Sequence, residues 1–163
     1  MKDVGTIDSL WEANMDLLDP NVPFDIADTE WRIFSRNDAL PPHYIADTAS
    51  VQNSLISEGG NIAGTVDFSV IFSGVTVEEG ASVRDSILMP GCIVKKGATV
   101  QYAILAENVV VGENAVIGGR PEDCADPGTE WGIAVVAENI TVGAGAVVPA
   151  KSMIEEDVEE VRL

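Results

Sequence analysis

A recurrence of seventeen residues constrains this chain more than any other feature of it. Leu55-Ile56-Ser57-Glu58-Gly59 returns as Val70-Ile71-Phe72-Ser73-Gly74, Ile87-Leu88-Met89-Pro90-Gly91 and Ile104-Leu105-Ala106-Glu107-Asn108. A fifth copy is Val135-Val136-Ala137-Glu138-Asn139. Read at the closing Gly or Asn, the offsets are 15, 17, 17 and 31 residues. Other columns keep step: Val66, Val83, Val100 and Ile117 are 17 apart, as are Val77, Val94 and Val111. Internal repeats of this length mean stacked units that share one core. Within each unit an aliphatic residue recurs every five or six positions, which suits neither a helix nor a hairpin. The period predicts a coil of three short parallel strands joined by tight corners, with one inward aliphatic per strand stacked on its counterpart. The closing column Gly59, Gly74, Gly91, Asn108 and Asn139 holds the two residue types that enter the left-handed region most cheaply, so these five are read as structural corners.

The rest of the chain is organised around this repeat. Residues 48–154 are expected to form about five coils, a mainly β solenoid on the order of 20–25 Å long. The offset of 31 exceeds one repeat by fourteen residues, which places an inserted loop at about 118–132, rich in Gly, Pro and polar residues. Residues 155–163 read as an acidic cap, since an exposed solenoid end otherwise aggregates. Residues 1–18 read as one helix: Thr6 is a candidate N-cap, and Ile7, Leu10, Trp11, Met15 and Leu18 follow at helical spacing. Asp19-Pro20 stops it, and residues 19–47 form an extended, proline-bearing linker. Phe72, Met89, Val70, Ile87 and Ile104 exceed what one buried ladder needs. Pointing outward, they make an apolar patch that another surface should cover.

Charge narrows the function. Nine Lys and Arg against 27 Asp and Glu give a net charge of −18. Phosphate-backbone binding depends on Lys and Arg, so nucleic acid is excluded as a partner, as is an anionic membrane surface. No apolar run reaches the roughly 18 residues of a spanning helix, and the N-terminus lacks a signal-peptide core, so a cytoplasmic setting is expected. Two cysteines make neither a disulfide framework nor a zinc site. Cys92 shares an apolar column with Val75, Val109 and Ile140 and reads as a packed thiol.

The repeat resembles the hexapeptide-repeat family, whose fold is a left-handed parallel β-helix; the handedness is what the resemblance implies. A closer likeness covers essentially the whole chain. Lys2-Asp3-Val4-Gly5-Thr6, Trp11-Glu12-Ala13-Asn14-Met15-Asp16-Leu17-Leu18, Leu40-Pro41-Pro42, Asn53 to Gly59, Ser69 to Val75 and Asp85 to Pro90 resemble ordered landmarks of the glucose-1-phosphate adenylyltransferases. The likeness implies a parent enzyme that makes ADP-glucose and pyrophosphate from ATP and glucose 1-phosphate, with magnesium, for glycogen or starch. It also implies a C-terminal β-helix that serves assembly and regulation. The chain starts where the family's catalytic domain ends, and lacks the Gly-rich nucleotide loop. It is therefore expected to be an oligomerisation and regulatory region, inert alone and without a cofactor of its own. The expected partners are further copies through the β-helix faces, or a full-length adenylyltransferase subunit.

Site candidates are few. Asp3 matches the aspartate that helps hold magnesium in the family, but one carboxylate is an incomplete metal site. Arg32, Arg36, Lys95 and Lys96, with Arg120, are the cations available to an anionic effector. The family's effector-binding Lys is replaced here by Tyr44. The single His43 lies in the linker, which argues against a stand-alone hexapeptide acyltransferase with an in-coil His base. That alternative, a stand-alone acyl- or nucleotidyltransferase, and a regulatory partner subunit are the competing readings. Asp126 and Glu130 are read as solvated loop carboxylates, and Trp131 as an anchor for the loop.

Overall fold

The computed structural model describes residues 5–21, 30 and 39–159. The repeat builds three six-stranded parallel sheets, the sides of a triangular prism. The first sheet stacks Tyr44–Ile45, Asn61–Ile62, Thr76–Val77, Ile93–Val94, Val110–Val111 and Thr141–Val142. The second stacks Ser50–Gln52, Thr65–Asp67, Ser82–Arg84, Thr99–Gln101, Val116–Ile117 and Val147–Val148. The third stacks Leu55–Ile56, Val70–Ile71, Ile87–Leu88, Ala103–Leu105, Ala134–Val136 and Met153–Ile154. The register is that of the repeat: Val83 pairs with Val66 and Val100, and Leu88 with Ile71 and Leu105. This is a mainly β parallel helix with three short strands per coil, as the repeat predicted.

The solenoid has six full rungs, and a bridge between Val142 and Val158 begins a seventh, where the repeat count gave about five. The extra pairing lies at the ends. Tyr44–Ile45, inside the stretch read as linker, pairs with Asn61–Ile62. Beyond the last repeat, Thr141 N–H donates to the Asp157 carboxylate at 2.7 Å. End rungs lack a buried ladder on one side, so their sequences drift from the repeat.

The inward ladder is sealed from bulk solvent. Val66, Ile71, Val77, Val83, Leu88, Val94, Val100, Leu105, Val111 and Ile117 are fully buried. The five closing-column corners have φ between +59° and +75°. Where the side chain above a glycine is Asn, its amide occupies the space: a Cβ on Gly91 would collide with Asn108 Oδ1. A second corner satisfies its buried polar groups through a serine ladder. Ser69 Oγ donates to Asp67 O at 2.8 Å and accepts Ser86 N–H at 3.2 Å; Ser86 Oγ donates to Arg84 O at 2.6 Å and accepts Ala103 N–H at 3.2 Å. Among the described residues, no buried side-chain N or O lacks a partner. No described helix is long and apolar enough to cross a membrane.

Helix α1 spans Ile7–Met15 and continues as a 3-10 turn, Asp16–Leu18. Thr6 caps it reciprocally with Ser9: Ser9 N–H donates to Thr6 Oγ1 at 3.2 Å, and Thr6 N–H donates to Ser9 Oγ at 3.1 Å. Its apolar face does not wait for a separate domain. Ile7, Leu10, Trp11, Met15 and Leu18 join Val70, Ile87, Ile104, Phe72 and Met89 in one cluster on the outside of the third sheet. The apolar patch foreseen from the sequence is thus covered by the chain's own helix, leaving Val70, Ile87 and Ile104 at 6, 1 and 4 % exposure.

Candidate functional site

The most elaborated region of the molecule is the seam where α1, the third sheet and the inserted loop meet. It is built on the corner between the second and third sheets. That corner is a column of non-glycine residues in the left-handed region: Asn53 at φ +43°, Phe68 at +43°, Asp85 at +47° and Tyr102 at +48°. For Phe and Tyr this conformation is a genuine outlier, tolerated because the coil must turn there; the Tyr102 ring gains contacts in the outer cluster, whereas Phe68 stays 37% exposed. The Asp85 carbonyl accepts the Trp11 indole N–H at 2.7 Å. The Tyr102 ring lies 5.9 Å from the Trp11 ring, tilted, and 5.3 Å from the Trp131 ring, edge-on. Trp131 in turn donates its indole N–H to Gly119 O at 2.8 Å, closing the loop on itself. Trp131 and Ile133 join the same apolar cluster as α1.

The inserted loop is ordered by local bonds. A 3-10 turn spans Pro121–Asp123. Asp126 accepts Gly128 N–H at 3.2 Å and Thr129 Oγ1–H at 2.8 Å, so this carboxylate organises a turn. Lys151 Nζ donates to Thr129 O at 2.8 Å, and Arg120 pairs with Glu122 at 3.8 Å on the surface. Among the described residues, no group of three or more His, Cys, Asp or Glu is placed to hold a metal ion.

Electrostatics at the seam are mixed. Burial holds the Asp85 carboxyl above the usual carboxylate range. Asp67 and Glu122 add to the shift, and Arg120 and Arg84 oppose it. Burial likewise raises the Tyr102 phenol, helped by Asp85 and Glu122. A carboxyl raised in the folded state is penalised when ionised. That penalty is present in full above the folded pKa and fades as pH falls through it, vanishing below the ordinary carboxylate range. Asp85→Asn is therefore expected to raise the urea midpoint at pH 7. The gain should shrink toward pH ~4, leaving only the pH-independent share that comes from the easier left-handed backbone of Asn. A gain of equal size at both pH values would contradict this.

The other candidates fall elsewhere. Asp3, Arg32 and Arg36 lie outside the described residues. Lys95 and Lys96 are exposed on the corner between the first and second sheets, away from α1 and the loop. Lys96 N–H donates to Glu78 Oε2 at 2.9 Å, so a carboxylate already sits at that corner. A groove of about 830 Å³ follows the glycine corner from Leu40 past Phe72 and Pro90, but Glu58 and Glu107 line it, which disfavours an anion. His43 is exposed beside the first strand. Cys92 is buried, donates to Ala106 O at 3.0 Å, and has its thiol pushed up to about 11 by burial, so it stays protonated and inert.

Sequence reading missed Tyr102 and the column it closes. The signal was there: Phe68, Asp85 and Tyr102 stand 17 residues apart. Their types conceal the left-handed backbone that Gly or Asn would have announced.

Residues 43–136, more than half of the chain, match the family model described as GlmU-like, C-terminal hexapeptide. The chain is also similar to proteins named glucose-1-phosphate adenylyltransferase from Bacillus thuringiensis (strain Al Hakam), Bacillus anthracis and Bacillus mycoides (strain KBAB4). Each is 58% identical to it over 85 residues. That stretch is 52% of this chain and 23% of each relative, so the match spans about a quarter of those enzymes. With its parallel coils, its 17-residue register and this family match, the chain belongs to the GlmU-like, C-terminal hexapeptide family.

Proposed function

We propose that this chain is the β-helix region of a glucose-1-phosphate adenylyltransferase, a structural and assembly module that transfers no adenylyl group by itself. The observation that carries the reading is the 58% identity over 85 residues to the Bacillus enzymes. The parent chemistry would join ATP and glucose 1-phosphate to give ADP-glucose and pyrophosphate, with magnesium. The 163 residues contain no Gly-rich nucleotide loop to cradle the triphosphate. In this reading α1, seated on the third sheet, is the element through which the catalytic part would attach. The first and second sheets, free of any covering helix among the described residues, would offer flat faces to another copy or to a full-length subunit.

The test is a pyrophosphate-release assay on the purified chain with ATP, glucose 1-phosphate and magnesium. A rate indistinguishable from buffer is expected. Turnover that depends on both substrates would overturn the reading of an inert module.

A further inference from the structure

We infer that helix α1 and the inserted loop are two arms of one clamp hinged on Tyr102, so that displacing the loop loosens the helix from the solenoid. The inference concerns this chain alone and stands apart from the enzymatic reading above.

Tyr102 touches both arms and anchors both. Its ring separates the two indoles, 5.9 Å from Trp11 and 5.3 Å from Trp131, so the helix and the loop meet through it. Its backbone is pinned on two sides. The Tyr102 N–H donates to Arg84 O at 3.2 Å, and its carbonyl accepts Ala134 N–H, the first residue of the strand that follows the loop, at 3.0 Å. The helix is further tied to a corner carbonyl, Trp11 to Asp85, while Trp131 closes the loop on itself through Gly119 O. The floor is shared as well, because Ile87, Ile104 and Ile133 belong to one cluster with Met15, while the inner ladder forms a separate cluster.

That separation makes the clamp a switchable element. The outer cluster can open without breaching the solenoid core, since no residue belongs to both clusters. Tyr102 at φ +48° holds a conformation bulky side chains rarely adopt, and the two indoles packed against its ring help keep it there. Removing one indole lowers the cost of moving the ring and so weakens the hold on the other. Coupling of this kind is reciprocal: whatever the loop does to the helix, the helix does to the loop. A partner that draws the loop outward would therefore loosen α1.

Amide hydrogen exchange on the full chain tests this. In Trp131→Ala, exchange across residues 7–15 should speed about three- to tenfold along with residues 119–132, the effect of losing one aromatic pair. The strands around Val83, Val100 and Val111 should keep their wild-type rates. Trp131→Phe, which keeps an apolar ring and loses the indole N–H, should move both arms in the same direction by about twofold. Trp11→Ala should speed the loop by the factor that Trp131→Ala imposes on the helix. Acceleration confined to the mutated arm in all three variants would overturn the clamp. Loss of protection throughout the inner strands in both Trp131 variants would also overturn it, since the loop would then support the whole solenoid.

Discussion

Gly118→Ala is expected to destabilise the chain by at least about 3 kcal/mol, whereas Gly80→Ala should cost only about 1–2 kcal/mol. Both glycines are left-handed, at φ +76° and +78°, so each substitution meets the same backbone penalty. They differ in surroundings. A Cβ on Gly80 would meet nothing nearer than Gly97 N at 3.8 Å. A Cβ on Gly118 would run into the Gln101 carbonyl oxygen, which is backbone and cannot step aside. The position explains why. Gln52, Asp67, Arg84 and Gln101 continue their strands outward, and glycine takes the next place in that column, where the chain leaves the coil to form the loop. Urea midpoints of the two variants measure the contrast. Equal losses would show that the close approach at Gly118 carries no weight.

Trp11→Ala is the second large effect, and it is local. Truncating a buried Trp costs about 3–5 kcal/mol, and Trp11, part-buried, falls at the lower end of that range. It also leaves the Asp85 carbonyl without its donor. A helix of nine residues has little stability of its own in water, so an undocked α1 should unravel. The expected readout is amide exchange across residues 7–15 about two orders of magnitude faster, a smaller far-UV helix signal, and new binding of an apolar dye to bared Val70, Ile87 and Ile104. The solenoid should keep its own unfolding midpoint, because its inner ladder shares no residue with the helix cluster. An unchanged exchange profile across α1 would contradict this docking.

Much of the fold could be read from the chain, for a physical reason. A stacked solenoid repeats its constraints in every rung, so the inward ladder Val66, Val83, Val100 and Ile117 marks both period and register. The corner column Gly59 to Asn139 was equally plain, because only Gly and Asn enter that backbone region cheaply. The ends were less legible. Tyr44–Ile45 lies in proline-rich sequence and is exposed at 63 and 40 %, so it carries no aliphatic signature of a rung although it pairs like one. The seam was the least legible part. Surplus apolar residues Val70, Ile87 and Ile104 announced a covered face, and the spacing of Leu10, Trp11 and Met15 announced an amphipathic helix. Nothing in one sequence joins the two, because contacts between elements 74 residues apart leave no periodic trace. Tyr102 was hidden for another reason: its role rests on a strained backbone that its residue type argues against.

The measurement that bears most directly on this picture is a nuclear Overhauser spectrum of the full chain in solution, read at Trp11. The Trp11 indole protons should show cross-peaks to the Tyr102 ring, whose centre lies 5.9 Å away, and the Trp11 indole N–H should exchange slowly, being bonded to the Asp85 carbonyl. Those peaks together with a protected indole would establish that the chain seals its own third face. A Trp11 indole with solvent-exchange rates and no contact to Tyr102, in a sample whose inner strands remain protected, would contradict it.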